Sequence, residues 1–272
     1  MAMNHPIETK IYKRWFESYL FPSSLFMLAL IGSMIQLNMS PKLFWEGIPH
    51  FFSLVSEMIP PNWEVFSKGK ILWSILETLA MAFLGTLIGC TGALLCGLLG
   101  ANNLTPSKLI GETVKRALAA ERSVPPLIYV LLLIVVIGLG PFAGMIVIAL
   151  GTTGMLGKLF AEAIENVDPK PLESLESTGA TKLQIIRYAL LPQVIPSFIA
   201  NTLYRFDINL RFALFLGVVG GGGIGVDLQM AMSLFRYADA LAITMVTLAV
   251  IWSAERISDY FRKRVIGQEV LQ

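Results

Sequence analysis

The sequence has little charge and few of the side chains that usually bind metals or act as nucleophiles. Only 15% of its 272 residues are charged, whereas soluble domains carry about 25%. It contains two cysteines and two histidines, and its mean hydropathy is +0.66. Because so few side chains need water, most of the chain is expected to lie in a lipid bilayer.

These shortages exclude several classes of site. Cys90 and Cys96 lie in one apolar segment, about 9 Å apart along a helix, which is too far for a disulfide. His5 and His50 are separated by the first predicted membrane span, so they cannot share a metal site. We therefore predict no metal and no catalytic residue. The net charge of +2, with no basic run, also gives no reason to expect nucleic-acid binding.

Two phosphate-binding patterns fail. Gly220–Gly225 fits the spacing GxGxxG, but it follows a membrane helix rather than a strand. The segment that ends at Gly157 and Lys158 resembles a P-loop, yet Thr152 stands where glycine is required and Leu159 where serine or threonine is required. We predict that this chain itself binds no ATP, Mg²⁺ or other cofactor.

Six apolar stretches approach the length of about 20 residues that crosses a bilayer. They cover residues 20–38, 71–100, 124–138, 142–163, 194–218 and 237–258. The first is longer than the apolar core of a signal peptide and lacks a cleavage site at its end, so we expect it to be retained. The predicted fold class is an all-α integral membrane protein with about six transmembrane helices.

Lysine and arginine indicate the orientation of these spans, since they collect in cytoplasmic loops. If the N-terminus is cytoplasmic, the inner segments hold 15 of the 21 basic residues, the outer segments hold four, and two lie inside the fifth span. We therefore predict that both termini are cytoplasmic. Residues 1–70 are expected to form one span and an external amphipathic helix, and residues 71–265 the main helical core.

The predicted cytoplasmic loop, 164–193, has the pattern of a helix, a turn and a second helix. Leu172 and Leu175 give the first helix an apolar face, Gly179 allows a tight turn, and Pro192 begins the next span. A short amphipathic helix that projects from a membrane core can dock into a cleft on a partner protein.

The spacing in this loop resembles that of the membrane subunits of ABC importers. In that family a glutamate is followed by a glycine six positions later, and by Leu-Pro thirteen positions after the glycine. Glu173, Gly179 and Pro192 stand at these positions, although the two usual alanines after the glutamate are replaced. The resemblance implies coupling to a separate ATPase subunit through this loop. The coupling residues that it implies are Glu173, Glu176, Gly179, Ala180, Leu191 and Pro192.

Further stretches resemble the permeases of phosphonate importers, which have the type I importer fold. The stretches are Glu77–Thr86, Gly138–Gly144, Leu156–Glu165, Leu203–Arg211 and Leu216–Gly225. Gly221 stands where alanine is usual, which bears on substrate preference rather than on the fold. The resemblance implies a multi-pass protein of the bacterial inner membrane, whose core at 71–265 carries phosphonate or a related phosphorus oxyanion.

The same resemblance implies a set of partners. Two copies of the chain would form the translocation path as a homodimer, and two ATP-binding subunits would bind ATP and Mg²⁺. A periplasmic or lipid-anchored binding protein would deliver the substrate. Import of phosphite, phosphate or methionine is the nearest alternative. An ATP-independent secondary transporter is the alternative from another class, and it is opposed by the lack of an inverted repeat.

The fifth span carries four polar residues, Arg205, Asp207, Asn209 and Arg211. A charge at this depth costs at least about 2.5–3.5 kcal/mol, so it must be paired or face water. On a regular helix, Arg205 and Asn209 share one face and Asp207 and Arg211 share the other. Two interpretations stay open. Asp207 and Arg211 form an ion pair that locks helix packing, or Arg205 with Asn209 lines the path and binds an anion weakly.

A run of glycines follows this span. Gly220, Gly222, Gly223 and Gly225 are predicted to break the helix near the outer face. They form a candidate hinge for an external gate, and a plain loop is the alternative.

Overall fold

The computed structural model describes residues 6–67, 69–105 and 107–267, so His5 lies outside the described residues. These residues form eleven α-helices, and no β-strand occurs among them. The helices are α1 Pro6–Gln36, α2 Pro41–Met58, α3 Lys70–Gly100, α4 Lys108–Ser123, α5 Pro126–Ile137, α6 Pro141–Glu165, α7 Pro169–Ser177, α8 Lys182–Ile185, α9 Leu191–Val218, α10 Ile224–Ser233 and α11 Tyr237–Gly267. A 3₁₀ turn covers Trp63–Phe66, and a π-helical turn, Ile186–Leu190, joins α8 to α9.

The chain divides into two compact units, Met1–Glu57 and Met58–Gln272. The first contains α1, whose stretch Ser18–Gln36 is apolar and long enough to cross a membrane, and almost all of α2. Helix α2 lies in the segment for which an amphipathic helix was predicted. The predicted boundary was residue 70, where α3 begins, whereas the two units divide between Glu57 and Met58.

Five helical segments of the described chain are long and apolar enough to cross a membrane. The third predicted span, 124–138, is a partial exception, because α5 has 12 residues and is only about 18 Å long. A sixth crossing exists if α4 and α5 count as one span with an 85° bend. The bend lies at Pro125 and Pro126, since proline cannot continue the hydrogen bonding of the preceding helix. The all-α membrane fold with about six spans is confirmed.

The centre of the second unit is a close pairing of α3 with α6. Gly85, Gly89 and Gly97 of α3 face α6, and a Cβ built on Gly89 would lie 2.5 Å from Thr152 Cβ. A Cβ on Gly85 would overlap Ile148, and a Cβ on Gly97 would overlap the residue twelve positions after Ile148 on α6. Because the contacts advance by twelve positions on both helices, the two helices run parallel. Small residues let helix backbones approach in lipid, where no hydrophobic force holds helices together.

Helix α9 packs against both α3 and α6, and α11 packs against α9. Between α9 and α11 the chain forms α10, a helix of 10 residues at a position where the sequence pattern predicted only a connection. The first amide of α10, Ile224 N, donates a hydrogen bond of 2.9 Å to Thr78 Oγ1 of α3. A hydroxyl from a distant helix therefore caps α10, which local sequence patterns do not reveal.

Candidate functional site

Asn209 joins three helices of the core. Its amide nitrogen donates hydrogen bonds of 2.8 Å to Thr86 Oγ1 on α3 and 2.9 Å to Thr152 Oγ1 on α6. Asn209 and Thr152 have no exposed surface. Asn209 Oδ1 is buried and has no hydrogen-bond partner among the described residues. This amide stabilises the packing of α9 on the α3–α6 pair, and it is not positioned to contact a solvated substrate.

Arg205 lies one helical turn before Asn209 on the same face of α9. Its side chain crosses α6 over Gly151, where a Cβ would lie 3.2 Å from Arg205 Nη2. Nη1 is 3.2 Å from Met155 Sδ, and Nε is 3.5 Å from Thr152 Oγ1. A thioether is a weak acceptor and 3.5 Å is a long hydrogen bond, so most of the five N–H donors of this guanidinium are weakly used.

Glu121, near the end of α4, places a carboxylate in the neighbourhood of Arg205. The two side chains attract one another electrostatically, without a direct ion pair. Glu121 lies against Gly154 of α6, where any Cβ would overlap its carboxylate. Its Oε2 is buried and has no hydrogen-bond partner among the described residues. No role was predicted for Glu121 from the sequence. The spacing of glycines on α6 is nevertheless a signal that a bulky side chain from another helix packs against that face of α6.

Asp207 and Arg211 face α11 on the opposite side of α9, as the helical rotation predicts. The first of the two interpretations, an ion pair between Asp207 and Arg211, is wrong, because Arg211 Nη2 lies 3.0 Å from Glu255 Oε1 instead. Asp207 is 6% exposed, and Ser258 of α11 lies close to its carboxylate. Both side chains therefore fix α9 to α11, and a pairing between helices replaces the local pairing.

The loop at 164–193, called the coupling loop below after its predicted role, has the helix–turn–helix form that its sequence predicts. Helix α7 begins at the cap residue Asp168, whose Oδ1 accepts a hydrogen bond of 3.1 Å from Lys170 N. Gly179 has φ +79°, in the region that favours glycine, and a Cβ at this position would have no other atom within 4 Å. Gln193 of α9 accepts a hydrogen bond of 3.0 Å from Asp168 N, which ties the loop to the span that follows.

The other predicted coupling residues lie around this turn. Glu173 and Glu176 are exposed on α7, Ala180 is half-buried after the turn, and Leu191 and Pro192 begin α9. Asp168 and Gln193, which were not predicted from the sequence, hold the loop in place rather than form its exposed surface.

The glycine run after α9 is packed rather than open. Gly220, Gly222 and Gly223 have φ values of +99°, +86° and +73°. A Cβ on Gly222 would overlap Pro141 of α6, and one on Gly223 would overlap the hydroxyl of Thr78. Gly225, inside α10, meets the backbone of α9 just as closely. The run therefore brings α9, α10, α3 and the start of α6 into close contact.

Comparison with known proteins identifies relatives that match most of the chain. The family described as "Binding-protein-dependent transport system inner membrane component" matches residues 93–267. The phosphite transport system permease protein PtxC of Stutzerimonas stutzeri is 36% identical over 220 residues, which are 80% of this chain and 78% of that protein. The phosphate-import permease protein PhnE of Mycolicibacterium smegmatis is 36% identical over 235 residues, covering 86% of this chain and 44% of that protein.

The fold itself matches solved structures. The inward-facing MetNI methionine ABC transporter superposes with a TM-score of 0.62 over 72% of this chain and 95% of that chain, at 20% sequence identity. At that identity the likeness concerns the fold alone.

Proposed function

Because the chain belongs to the family of binding-protein-dependent transport system inner membrane components, we propose that it forms the translocation path for a small phosphorus oxyanion. As a member of this family, the chain is a multi-pass inner-membrane permease subunit of an ABC importer. It works with a separate ATPase and a substrate-binding protein and is not itself an enzyme. The substrate, the copy number and the residues that act are the proposed part.

Arg205 is the observation that carries the substrate class. A guanidinium presents donors in a planar fork that matches the oxygens of a tetrahedral anion. In this chain it lies half-buried in a predicted span, and among the described residues its hydrogen-bond partners are the Thr152 hydroxyl, at 3.5 Å, and the Met155 thioether. Relatives named for phosphite and phosphate import support the same class.

The site must bind its anion weakly, since a tight site would hold the substrate in the path. Glu121 supplies this weakening, because its negative charge competes with the substrate for Arg205. Asn209 holds α9 so that Arg205 crosses α6 at the glycine positions. Phosphonate, phosphite and phosphate all fit this chemistry, and selection among them falls to the binding protein.

For the assembly we propose a homodimer with two ATPase subunits. Each ATPase would receive α7 and the turn at Gly179 in a surface cleft. The exposed carboxylates Glu173 and Glu176 and the open space around Gly179 support this arrangement. ATP and Mg²⁺ would be bound by the ATPase, and this chain would hold no cofactor.

The test is uptake of labelled oxyanion into proteoliposomes that contain the permease, its ATPase and its binding protein. Arg205→Gln should lower the uptake rate by about tenfold or more, since a charge-assisted contact of this kind contributes roughly 1.5–3 kcal/mol. Arg205→Lys should retain part of the rate.

The matched control removes the other arginine of α9 together with its partner, as Arg211→Gln with Glu255→Gln. This double variant keeps local neutrality and should retain oxyanion uptake. Equal rates for wild type and Arg205→Gln would contradict the role of Arg205, and uptake of methionine in place of any oxyanion would contradict the substrate class.

A further inference from the structure

A cavity of about 210 Å³ lies between α4 and α6, at the end of α6 that leads into the coupling loop. Its lining includes three cations, Lys115 and Arg122 of α4 and Lys158 of α6, and the two acids Glu162 and Glu165. It is large enough for several water molecules, and hence for a small hydrated anion.

The cavity continues the face of α6 that Arg205 crosses. Gly151, Gly154 and Lys158 recur at three- and four-residue spacing, so they share one side of the helix. Lys158 is about 10 Å along the axis from Gly151, where Arg205 crosses. Arg122 lies between the two positions, since its Cγ would be 3.2 Å from a Cβ on Gly154 and its charge acts on Arg205.

The three cations differ in how far they are neutralised. Lys115 Nζ is 2.7 Å from Glu165 Oε1, and Lys158 Nζ is 3.5 Å from Glu162 Oε1. The guanidinium of Arg122 forms no ion pair or hydrogen bond with the residues that the structure describes, and it interacts with the neighbouring Glu121 through longer-range electrostatic attraction. It is therefore the cation with the most donor capacity in this cavity.

We propose that this cavity is an inner subsite for the transported phosphorus oxyanion, with Arg122 as its main contact; this rests on the function proposed above. An anion that leaves Arg205 is received by Arg122, which contacts α6 about one helical turn further on. Two weak sites in series let an anion enter and leave more easily than one tight site. Glu162 and Glu165 keep the second site weak by neutralising the two lysines.

The test uses the complete importer in proteoliposomes, with ATP inside and binding protein and labelled oxyanion outside. Inorganic phosphate is added to the lumen at constant ionic strength, and initial uptake rates are measured. If luminal phosphate occupies the subsite, it slows import by wild type. Arg122→Gln should need about tenfold more luminal phosphate for the same inhibition, as expected when one charge-assisted contact is lost.

The matched control is Arg116→Gln, which removes an arginine from the same helix. Arg116 pairs with Glu112 at 3.6 Å and does not line the cavity. This variant should be inhibited like wild type, and Arg122→Lys should recover much of the inhibition, which a purely structural loss would not allow. Lys158→Gln gives a second variant that should weaken inhibition if Arg122→Gln does not fold.

The outcomes separate the two proposals. If luminal phosphate does not slow import by wild type, or slows import by wild type and by Arg122→Gln equally, the subsite proposal is overturned. The proposed function would then still stand. A wild-type importer that takes up no oxyanion would overturn both. The same phosphate chemistry occurs in lipid headgroups, so uptake is also compared in vesicles with and without phosphatidylglycerol. One outcome would assign the cavity to a lipid headgroup and overturn the proposal. In that outcome the uptake rate depends on phosphatidylglycerol, Arg122→Gln abolishes this dependence, and luminal phosphate has no effect.

Discussion

Replacing Asn209 with alanine should weaken the core by an amount that the contacts define. The side chain makes two hydrogen bonds to two other helices, and no part of it is exposed. Hydrogen bonds between membrane helices contribute about 0.6 kcal/mol on average and at most about 1.7 kcal/mol. Loss of both bonds therefore lowers the free energy of unfolding by roughly 1–3 kcal/mol, which corresponds to a Tm lower by about 3–9 °C.

The assay is thermal unfolding of the purified chain in detergent, followed with a dye that reacts with thiols when Cys90 and Cys96 become exposed. Asn201→Ala is the matched control. Asn201 lies on the same helix, but its amide nitrogen donates to Ser197, four positions earlier on α9, and to no other residue that the structure describes. A Tm for Asn209→Ala equal to that of Asn201→Ala would refute the reasoning that Asn209 joins α9 to the α3–α6 pair.

Two glycine positions give further tests of the packing. Gly89→Val should lower the free energy of unfolding by about 1–3 kcal/mol through overpacking, because the new side chain would push α3 away from α6. Gly32→Val, at a position with open space around it, is the control. Equal melting curves for the two variants would contradict the close pairing of α3 with α6. Gly223→Ala should reduce the yield of folded protein, since the position combines φ +73° with overlap against α3. Gly69→Ala is the control, because Gly69 also has a positive φ, +68°, but an added Cβ would have no contact within 4 Å among the described residues beyond its chain neighbours. An equal loss of folded protein in both variants would assign the effect to the backbone conformation alone.

The spans and the coupling loop were predictable because their signals are local. Apolar length indicates a crossing, and the spacing of leucines around Gly179 indicates two short helices joined by a turn. The helical rotation that separates Arg205 from Asp207 also holds, because α9 is regular from Leu191 to Val218.

Partners between helices were not predictable in the same way. Arg211 and Asp207 are spaced to pair on one helix, yet Glu255 on α11 approaches Arg211 and takes its place. Which distant acid faces an arginine depends on how two spans pack, and periodicity within one span carries no such information. Glu121 was missed for a related reason, since a charge at the end of an amphipathic helix usually faces water.

The glycine run shows how one pattern fits two structures. A run of glycines predicts a break in the helix, and the break after Val218 is present. Whether glycine provides mobility or close packing depends on what lies next to it. Here Pro141 and Thr78 fill the space that side chains at Gly222 and Gly223 would need, so close contact accounts for these two positions.

The most direct test of the central claim is ATP hydrolysis by the reconstituted importer, stimulated by its binding protein with phosphonate, phosphite, phosphate or methionine. We expect stimulation by a phosphorus oxyanion and not by methionine. We also expect Gly179→Asp to abolish stimulation, because Gly179 has φ +79° at the turn that we propose to meet the ATPase. Stimulation by methionine alone would contradict the proposed substrate class. Oxyanion uptake driven by an ion gradient without ATP would contradict the ABC importer itself.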